Sequence, residues 1–365
     1  METFYTLDDI TLLPSTVNNG HPGNKANFSV SDDEESDQSL KHSLPIFTSP
    51  MESIVGPKSA QVYASNGIKP VLSLGESLPV RLNFCQHVFC AFSMKEIQDN
   101  FINSYQKFRN QNCQYHLCID SGNGHDQNLI NLGANIKRIY GTQVILMGGN
   151  CGRPEVYSNY ARAGFSYIRV GIATGSMVDE DKYGFNFPMA SLLLGIKQHR
   201  QSAGIGLPRQ VKVIADGGIL GPSDIIKALA LGADYVMCGR SLAEVIEAEG
   251  EVLQKIGKIG GKDELRPVPE EQYRGIDRPR ILTNAYYRYY YANTSPEARA
   301  VRQGKPSFML LSDSMGSEQV HIDKTLHDWV EEFQKCAYYA FMMTGSLDWS
   351  TFKKNIGYGV KSARI

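Results

Sequence analysis

Several large protein classes are excluded by what this sequence does not contain. Its opening, METFYTLDDITLLP, has acidic residues and no basic start leading into a long apolar core, so it does not read as a secretory leader. No apolar run approaches the roughly 20 residues of a membrane-spanning helix. Neither sign of charge is in excess: 37 Lys and Arg against 38 Asp and Glu leave a net charge of −1. Nothing general therefore points to nucleic acid or to an anionic membrane surface as partner. The seven cysteines (Cys85, Cys90, Cys113, Cys118, Cys151, Cys238 and Cys336) are odd in number and lack the paired spacing of a zinc site. Cys90, Cys118 and Cys238 lie in apolar runs, where a free thiol acts as a small hydrophobe. A reduced, cytoplasmic setting is expected. The glycine fingerprint of a doubly wound dinucleotide-binding sheet, G-x-G-x-x-G after the first strand, is also missing.

The sequence has 365 residues, 42% of them hydrophobic, which suits one large barrel with insertions. Eight apolar runs read as strands: 45–50, 69–74, 88–93, 115–121, 143–150, 167–172, 212–218 and 235–240. Helical periodicity lies between them. At 95–109, Ile97, Phe101, Tyr105 and Phe108 recur at three- and four-residue steps, and at 125–140 Leu129, Leu132 and Ile136 share a face. The alternation predicts a parallel, closed (β/α)8 TIM barrel in the α/β class. One domain is expected over 1–365. It comprises an N-terminal extension (1–44), the barrel (45–248), an insertion or mobile loop (249–285), and an aromatic segment with a loop and a C-terminal helix (286–365, the helix at 323–343). The acidic run Asp32, Asp33, Glu34, Glu35 and Asp37 sits in a polar stretch and reads as a solvated loop. Tyr286, Tyr287, Tyr289, Tyr290 and Tyr291 suit either a base-stacking surface or a half-buried interface with the barrel.

The unusual residues gather at the carboxyl ends of the strands. The segment 212–240 reads KVIADGG, ILGPSDIIKALALGA, DYVMCGR: strand, glycine turn, helix capped at Ser223 or Asp224, strand, glycine turn. Glycine at both turns lets backbone N–H groups approach an anion, and the loops after strands seven and eight are the usual phosphate site of such barrels. Earlier strands end in Asp120–Ser121–Gly122–Asn123–Gly124–His125, Gly148–Gly149–Asn150–Cys151–Gly152 and Gly171–Ile172–Ala173–Thr174–Gly175–Ser176. All these ends converge on one face, so the pattern predicts a phosphorylated small-molecule ligand.

These residues resemble the IMP dehydrogenase / GMP reductase family. Tyr5 to Pro14 (YTLDDITLLP) is similar to its F-x-D-V-L-L-x-P start, and Ser49–Pro50–Met51–Glu52 to its N-M-D. Asp120–Ser121–Gly122–Asn123–Gly124 is similar to D-x-A-N-G, Gly149–Asn150 to G-N, and Val170 to Ser176 to V-G-I-G-P-G-S. Asp216–Gly217–Gly218–Ile219 is similar to D-G-G-I, and 339–345 is a weaker match to the C-terminal helix. The resemblance implies a purine nucleoside monophosphate as ligand, NAD(P) as cofactor, an oxidoreductase of nucleotide metabolism and a homotetramer. It places Ser176, Gly217, Gly218 and Gly239 at the phosphate, with Arg240 beside them, and Asp216 at the ribose. It places Asn293, Thr294 and Ser295 near the base, and Asp120, Ser121, Asn123, Gly124 and Asn150 on the cofactor side. A monovalent cation is implied near Gly171 and Gly175. Residues 74–88 leave no room for regulatory CBS modules, and the segment after Ser295 is too short for the long hydrolytic flap. Both absences resemble GMP reductase.

The departures concern chemistry. The family follows G-S with x-C-T-T, and that cysteine attacks the purine. Here Val178 holds the cysteine position, with Asp179, Glu180 and Asp181 after it. The reductase acid position falls on Pro296, with Glu297 one place later. Asp179, Glu180, Glu297 and Cys151 remain as catalytic candidates. Arg240 stands where the family has a small residue; it suits a phosphate or a pairing with Glu244. Three readings follow: an oxidoreductase of altered chemistry, a catalytically silent nucleotide-binding or oligomerising protein, and a non-redox enzyme using the acidic loop at Asp179, Glu180 and Asp181.

Overall fold

A computed structural model describes residues 3–16, 20–32, 41–104, 106–109, 113–172, 184–203, 210–259, 262–291 and 317–361. Its strands, in chain order, are β1 (Ile10–Leu13), β2 (Val30–Ser31), β3 (His42–Ser43), β4 (Ile46–Thr48), β5 (Val71–Leu72), β6 (Phe89–Phe92), β7 (Tyr115–Asp120) and β8 (Val144–Cys151). They continue with β9 (Tyr167–Val170), β10 (Lys212–Asp216), β11 (Tyr235–Cys238), β12 (Val252–Ile259), β13 (Lys262–Pro267), β14 (Tyr286–Tyr291), β15 (Ser317–Ile322) and β16 (Gly357–Val360). Strands β4 to β11 form one eight-stranded sheet in which neighbouring strands pair in parallel. Its ends meet through a parallel bridge between Phe47 and Lys69. There Thr48 N–H donates to Lys69 O at 3.0 Å and Lys69 N–H to Ile46 O at 2.9 Å. The sheet is thus a barrel, and all eight expected strands are its staves.

Side-chain alternation divides the core in two. Phe47, Val71, Phe89, Cys118, Ile145, Met147, Tyr167, Ile214, Tyr235 and Met237 fill the barrel interior. Their neighbours, such as Ile46, Leu72, Leu117, Leu146, Ile168 and Val213, belong to the larger cluster beneath the helices. Strands buried on both faces read as continuous apolar runs, which is why they were visible in the sequence.

The helices differ from expectation in detail. The 125–140 pattern is the helix Gln127–Tyr140, started by the Asp126 carboxylate accepting from Asn128 N–H at 2.8 Å. The 95–109 pattern is broken: helix Met94–Ile97 runs into a π-helix Gln98–Ile102, and a separate turn covers Gln106–Arg109. Ile97, Phe101 and Phe108 are nonetheless buried. The helix Pro222–Leu231 is capped at Gly221 rather than Ser223 or Asp224; the Asp224 carboxylate instead accepts from Leu220 N–H at 3.0 Å. The C-terminal helix spans Leu326–Thr344.

Asp32, the segment 249–285 and the tyrosine cluster all attach to the barrel, and the first of them departs from expectation. Asp32 is not in a solvated loop; it is 2% exposed. It enters among the amino ends of the barrel strands, where its carboxylate meets Lys69 Nζ at 3.3 Å and accepts from the hydroxyls of Tyr167 and, at 3.3 Å, Tyr235. The Lys69 ammonium also lies over the rings of Phe47, Tyr167 and Tyr235. The rest of the acidic run lies outside the described residues. The segment 249–285 is not a plain loop: β12 and β13 form an antiparallel hairpin with a bulge between Lys255 and Gly257. With β14 and β15 they make a four-stranded antiparallel sheet in the order β13-β12-β14-β15. The tyrosine cluster is β14, an interface strand: Tyr286, Arg288 and Tyr290 face inward and are buried. Arg288 gives four hydrogen bonds to the carbonyls of Ala243, Val245, Ile246 and Ala248, fastening this sheet to the chain just after β11.

Candidate active-site face

β10 ends at Asp216, and the chain turns through Gly217 at φ +106° and Gly218 at φ +72°. L side chains avoid both conformations, so the turn depends on the glycine pair. It leads into the helix Pro222–Leu231. β11 ends beside it, followed by Gly239. A Cβ on Gly239 would lie 2.7 Å from Tyr290 Oη and 3.3 Å from both Met51 Sδ and Ser49 Cβ. The lip is therefore built from three places: the glycine turns, the end of β4 and a tyrosine brought in by β14. Burial and the charge of Asp216 raise the Tyr290 phenol above its ordinary pKa, so it is held as a neutral O–H donor. Sequence reasoning left Tyr290 undistinguished among its tyrosine neighbours; its inward register on β14 singles it out.

One turn deeper lies a charged hub that was also missed. Arg169, in the middle of β9, is 6% exposed and points into the barrel above Tyr167. Its Nη1 donates to Asp120 Oδ1 at 2.6 Å and its Nε to Asp216 Oδ2 at 2.9 Å. Asn150 Nδ2 donates to the same Asp216 oxygen at 2.8 Å and to Gly171 O at 3.1 Å. Burial opposes the charge on Arg169, but the two carboxylates outweigh it and raise its pKa further. Three residues expected on different sides of a ligand, Asp120, Asn150 and Asp216, are thus joined around one guanidinium. The available signal was a lone arginine in the apolar run Tyr167–Ile168–Arg169–Val170.

The loops after β7 and β8 are cross-laced. Gly124 N–H donates to Asn150 O at 2.9 Å, and Asn150 N–H to Ser121 O at 2.8 Å. Asn123 Oδ1 accepts from His125 N–H at 3.1 Å, and His125 Nε2 accepts from Gly152 N–H at 2.9 Å. Gly122 and Asn123 are exposed and Ser121 is half-buried, and a Cβ on Gly122 would meet nothing within 4 Å. Cys151 points away from this open side: it is fully buried, with its Sγ 3.6 Å from Gly124 O. Burial pushes its thiol up to about 12, far from the thiolate a nucleophile needs.

Arg240 is held by two carboxylates, Glu244 Oε1 at 2.9 Å from Nη1 and Glu318 Oε1 at 3.1 Å from Nε. The Gly171 carbonyl, implied near a cation, accepts from Asn150. Among the described residues no group of three His, Cys, Asp or Glu side chains could hold a metal ion. No described helix is long and apolar enough to cross a membrane. Gly175, Ser176, Val178, Asp179, Glu180, Asp181, Asn293, Thr294, Ser295, Pro296 and Glu297 lie outside the described residues.

Fold and lip together define a (β/α)8 barrel with its polar groups gathered at the carboxyl ends of the strands, the face that carries enzyme sites in this architecture. Residues 95–263 match the family model described as the IMP dehydrogenase / GMP reductase domain. A GMP reductase of Clostridium acetobutylicum is 29% identical over 275 residues, 71% of this chain and 76% of that one. An inosine-5'-monophosphate dehydrogenase of Chlorobaculum tepidum is 32% identical over 143 residues, 39% of this chain and 28% of that one. GMP reductase 2 of Homo sapiens is 29% identical over 151 residues, 39% of each chain. Over residues 95–263 the chain is thus similar to the IMP dehydrogenase / GMP reductase domain.

Proposed function

We propose that this barrel binds a purine nucleoside monophosphate and acts on it as an oxidoreductase with altered chemistry. The observation that carries the reading is the lip at Gly217, Gly218 and Gly239, a place where two left-handed glycines follow β10 and the neutral Tyr290 hydroxyl overhangs the glycine after β11. Such a place suits a phosphate. Ser176 and Arg240 complete the phosphate set in this reading. Asp216, oriented by Arg169 and Asn150, faces the ribose, and Asn293, Thr294 and Ser295 approach the base. The relatives' names, GMP reductase and inosine-5'-monophosphate dehydrogenase, supply the ligand class.

NAD(P) fits the other side of the same face. Ser121, Gly122 and Asn123 border open space, and the lacing to Asn150 keeps that edge in place. Bound there, the cofactor would supply or accept hydride; Asp120, Ser121, Asn123, Gly124 and Asn150 would hold and orient it. The chain's own contribution is orientation and charge. Arg169 keeps Asp120 and Asp216 in position without a proton being exchanged. A homotetramer is part of this proposal, as is a monovalent cation near Gly171 and Gly175.

The family's covalent route is not available to this chain in the proposal, because Val178 stands in the cysteine position. The strand-end thiols at the described face, Cys151 and Cys238, are both buried and both pushed up to about 12. The same observation favours a second reading, a silent nucleotide-binding protein. Thermal stabilisation by GMP and IMP tests the binding claim; no shift with either removes it. Nicotinamide absorbance with GMP plus NADPH and with IMP plus NAD, together with intact-protein mass spectrometry, tests the chemistry. Binding without turnover or purine adduct is expected for these pairs, since loss of a nucleophile costs on the order of a millionfold. Fast GMP reduction would overturn the altered-chemistry claim. Hydride transfer with another purine nucleotide separates the oxidoreductase from the silent reading.

A further inference from the structure

The two carboxylates on Arg240 are not held alike. Glu244 is four residues away on the same turn and is shared with Lys324, whose Nζ lies 3.6 Å from Glu244 Oε2. Lys324 in turn contacts Asp323 at 3.5 Å and Glu332 at 3.3 Å, so Glu244 sits in a network that survives without Arg240. Glu318 is the more exposed partner, at 41% against 28%, and among the described residues its one ion pair is with Arg240. It stands at the second position of β15, directly across from Tyr290 of β14. The charges of Asp216, Arg240 and Glu318 all act on the Tyr290 hydroxyl, which places this guanidinium and this carboxylate around the group that overhangs Gly239.

We propose that Arg240 is an exchangeable phosphate ligand and that Glu318 is the internal anion it releases. This rests on reading the lip as a phosphate site. A phosphate has more acceptor oxygens and more negative charge than a carboxylate, and it matches the guanidinium fork in two-pronged geometry. An arriving phosphomonoester therefore takes the Nε edge of Arg240, while Glu244 keeps Nη1. Glu318 then turns to solvent, where its exposure makes release inexpensive. With Glu318 in competition, the site binds phosphate more weakly than its groups allow, and the first residues of β15 lose a tether when the site fills.

Calorimetric titration of the full chain with GMP, and with guanosine as the phosphate-free control, tests the exchange. Glu318→Gln is expected to bind GMP about 3- to 10-fold more tightly than the parent at low salt, with guanosine unchanged. Arg240→Met is expected to bind GMP at least about tenfold more weakly, again with guanosine unchanged, and Arg240→Lys to recover part of the loss. Amide exchange at residues 317–319 should rise on GMP binding in the parent and already be high in Glu318→Gln. A gain in affinity cannot come from damaged folding, so the Glu318 variant remains informative if Arg240→Met is unstable. A parent that binds GMP with Glu318→Gln no tighter overturns the exchange and leaves the phosphate site standing. A parent that binds no nucleoside monophosphate overturns both.

Discussion

Gly218 separates backbone conformation from ligand approach. Its φ of +72° is left-handed, so Gly218→Ala is expected to lower stability by about 1–2 kcal/mol from backbone strain alone. Gly218→Glu carries the same strain and adds a carboxylate at the lip; it should lose nucleotide-induced thermal stabilisation entirely. Comparing the two variants, by urea unfolding and by thermal shift with GMP, isolates the second effect. Equal GMP shifts in parent and Gly218→Glu would remove the phosphate assignment. His125 gives a pH-dependent test. Its Nε2 accepts from Gly152 N–H, which requires the neutral ring. Burial and the nearby Arg153 lower its pKa from 6.5, while Glu155 partly opposes them. Because the folded value lies below the unfolded one, the unfolded chain binds the proton first as pH falls. The stabilising contribution is complete above pH 6.5 and is lost as pH drops through the lowered folded value. His125→Gln should therefore show a smaller fall in urea midpoint between neutral and mildly acidic pH than the parent. An unchanged fall would place the acid sensitivity elsewhere.

At the level of elements, legibility followed burial symmetry. The eight barrel strands could be read because both faces are covered, leaving unbroken apolar runs. Arg169 was hidden for the same reason: in Tyr167–Ile168–Arg169–Val170 nothing local shows which face of the strand it occupies, and its partners are 47 and 49 positions away in the chain. The glycine turns after β10 and β11 were legible as turns, but the overhanging Tyr290 needed the register of β14 against β15. The hairpin of β12 and β13 escaped notice because β13 (KDELRP) has a single aliphatic side chain and the aliphatics of β12 (VLQKIGKI) are interrupted by Gln, Lys and Gly; Val252 and Leu253 are buried where β12 pairs with β14. The segment carrying Asp32 was misread because a run of acids ordinarily marks solvent; its partner Lys69 is 37 positions away. That element gives a further prediction. Asp32→Asn leaves the Lys69 ammonium buried without its carboxylate and should cost about 3–5 kcal/mol by urea unfolding. Adding Lys69→Met to that variant should recover most of the loss. A double variant no more stable than the single one would mean that the carboxylate contributes through its tyrosine hydrogen bonds rather than through the ion pair.

The whole molecule is a ring of strands with outlying parts of the chain fastened across it. One fastening is the antiparallel ribbon of β1 and β16, where Ile10 faces Val360 and Leu13 faces Gly357. Ile10 is fully buried, so a chain stopped after Asn355 should lose about 1.5–3 kcal/mol as that side chain is uncovered, while GMP binding at the lip persists. Loss of GMP binding in that truncated chain would show that the ribbon supports the site as well as the fold. The ribbon also bears on the order of events during synthesis. The paired residues are about 350 positions apart, so β1 leaves the ribosome long before its partner exists. Contacts this far apart carry a large loop-closure cost and form late. The nascent barrel must therefore pass most of its translation with one seam unfastened, and it is in that interval that aggregation or a chaperone has access to it.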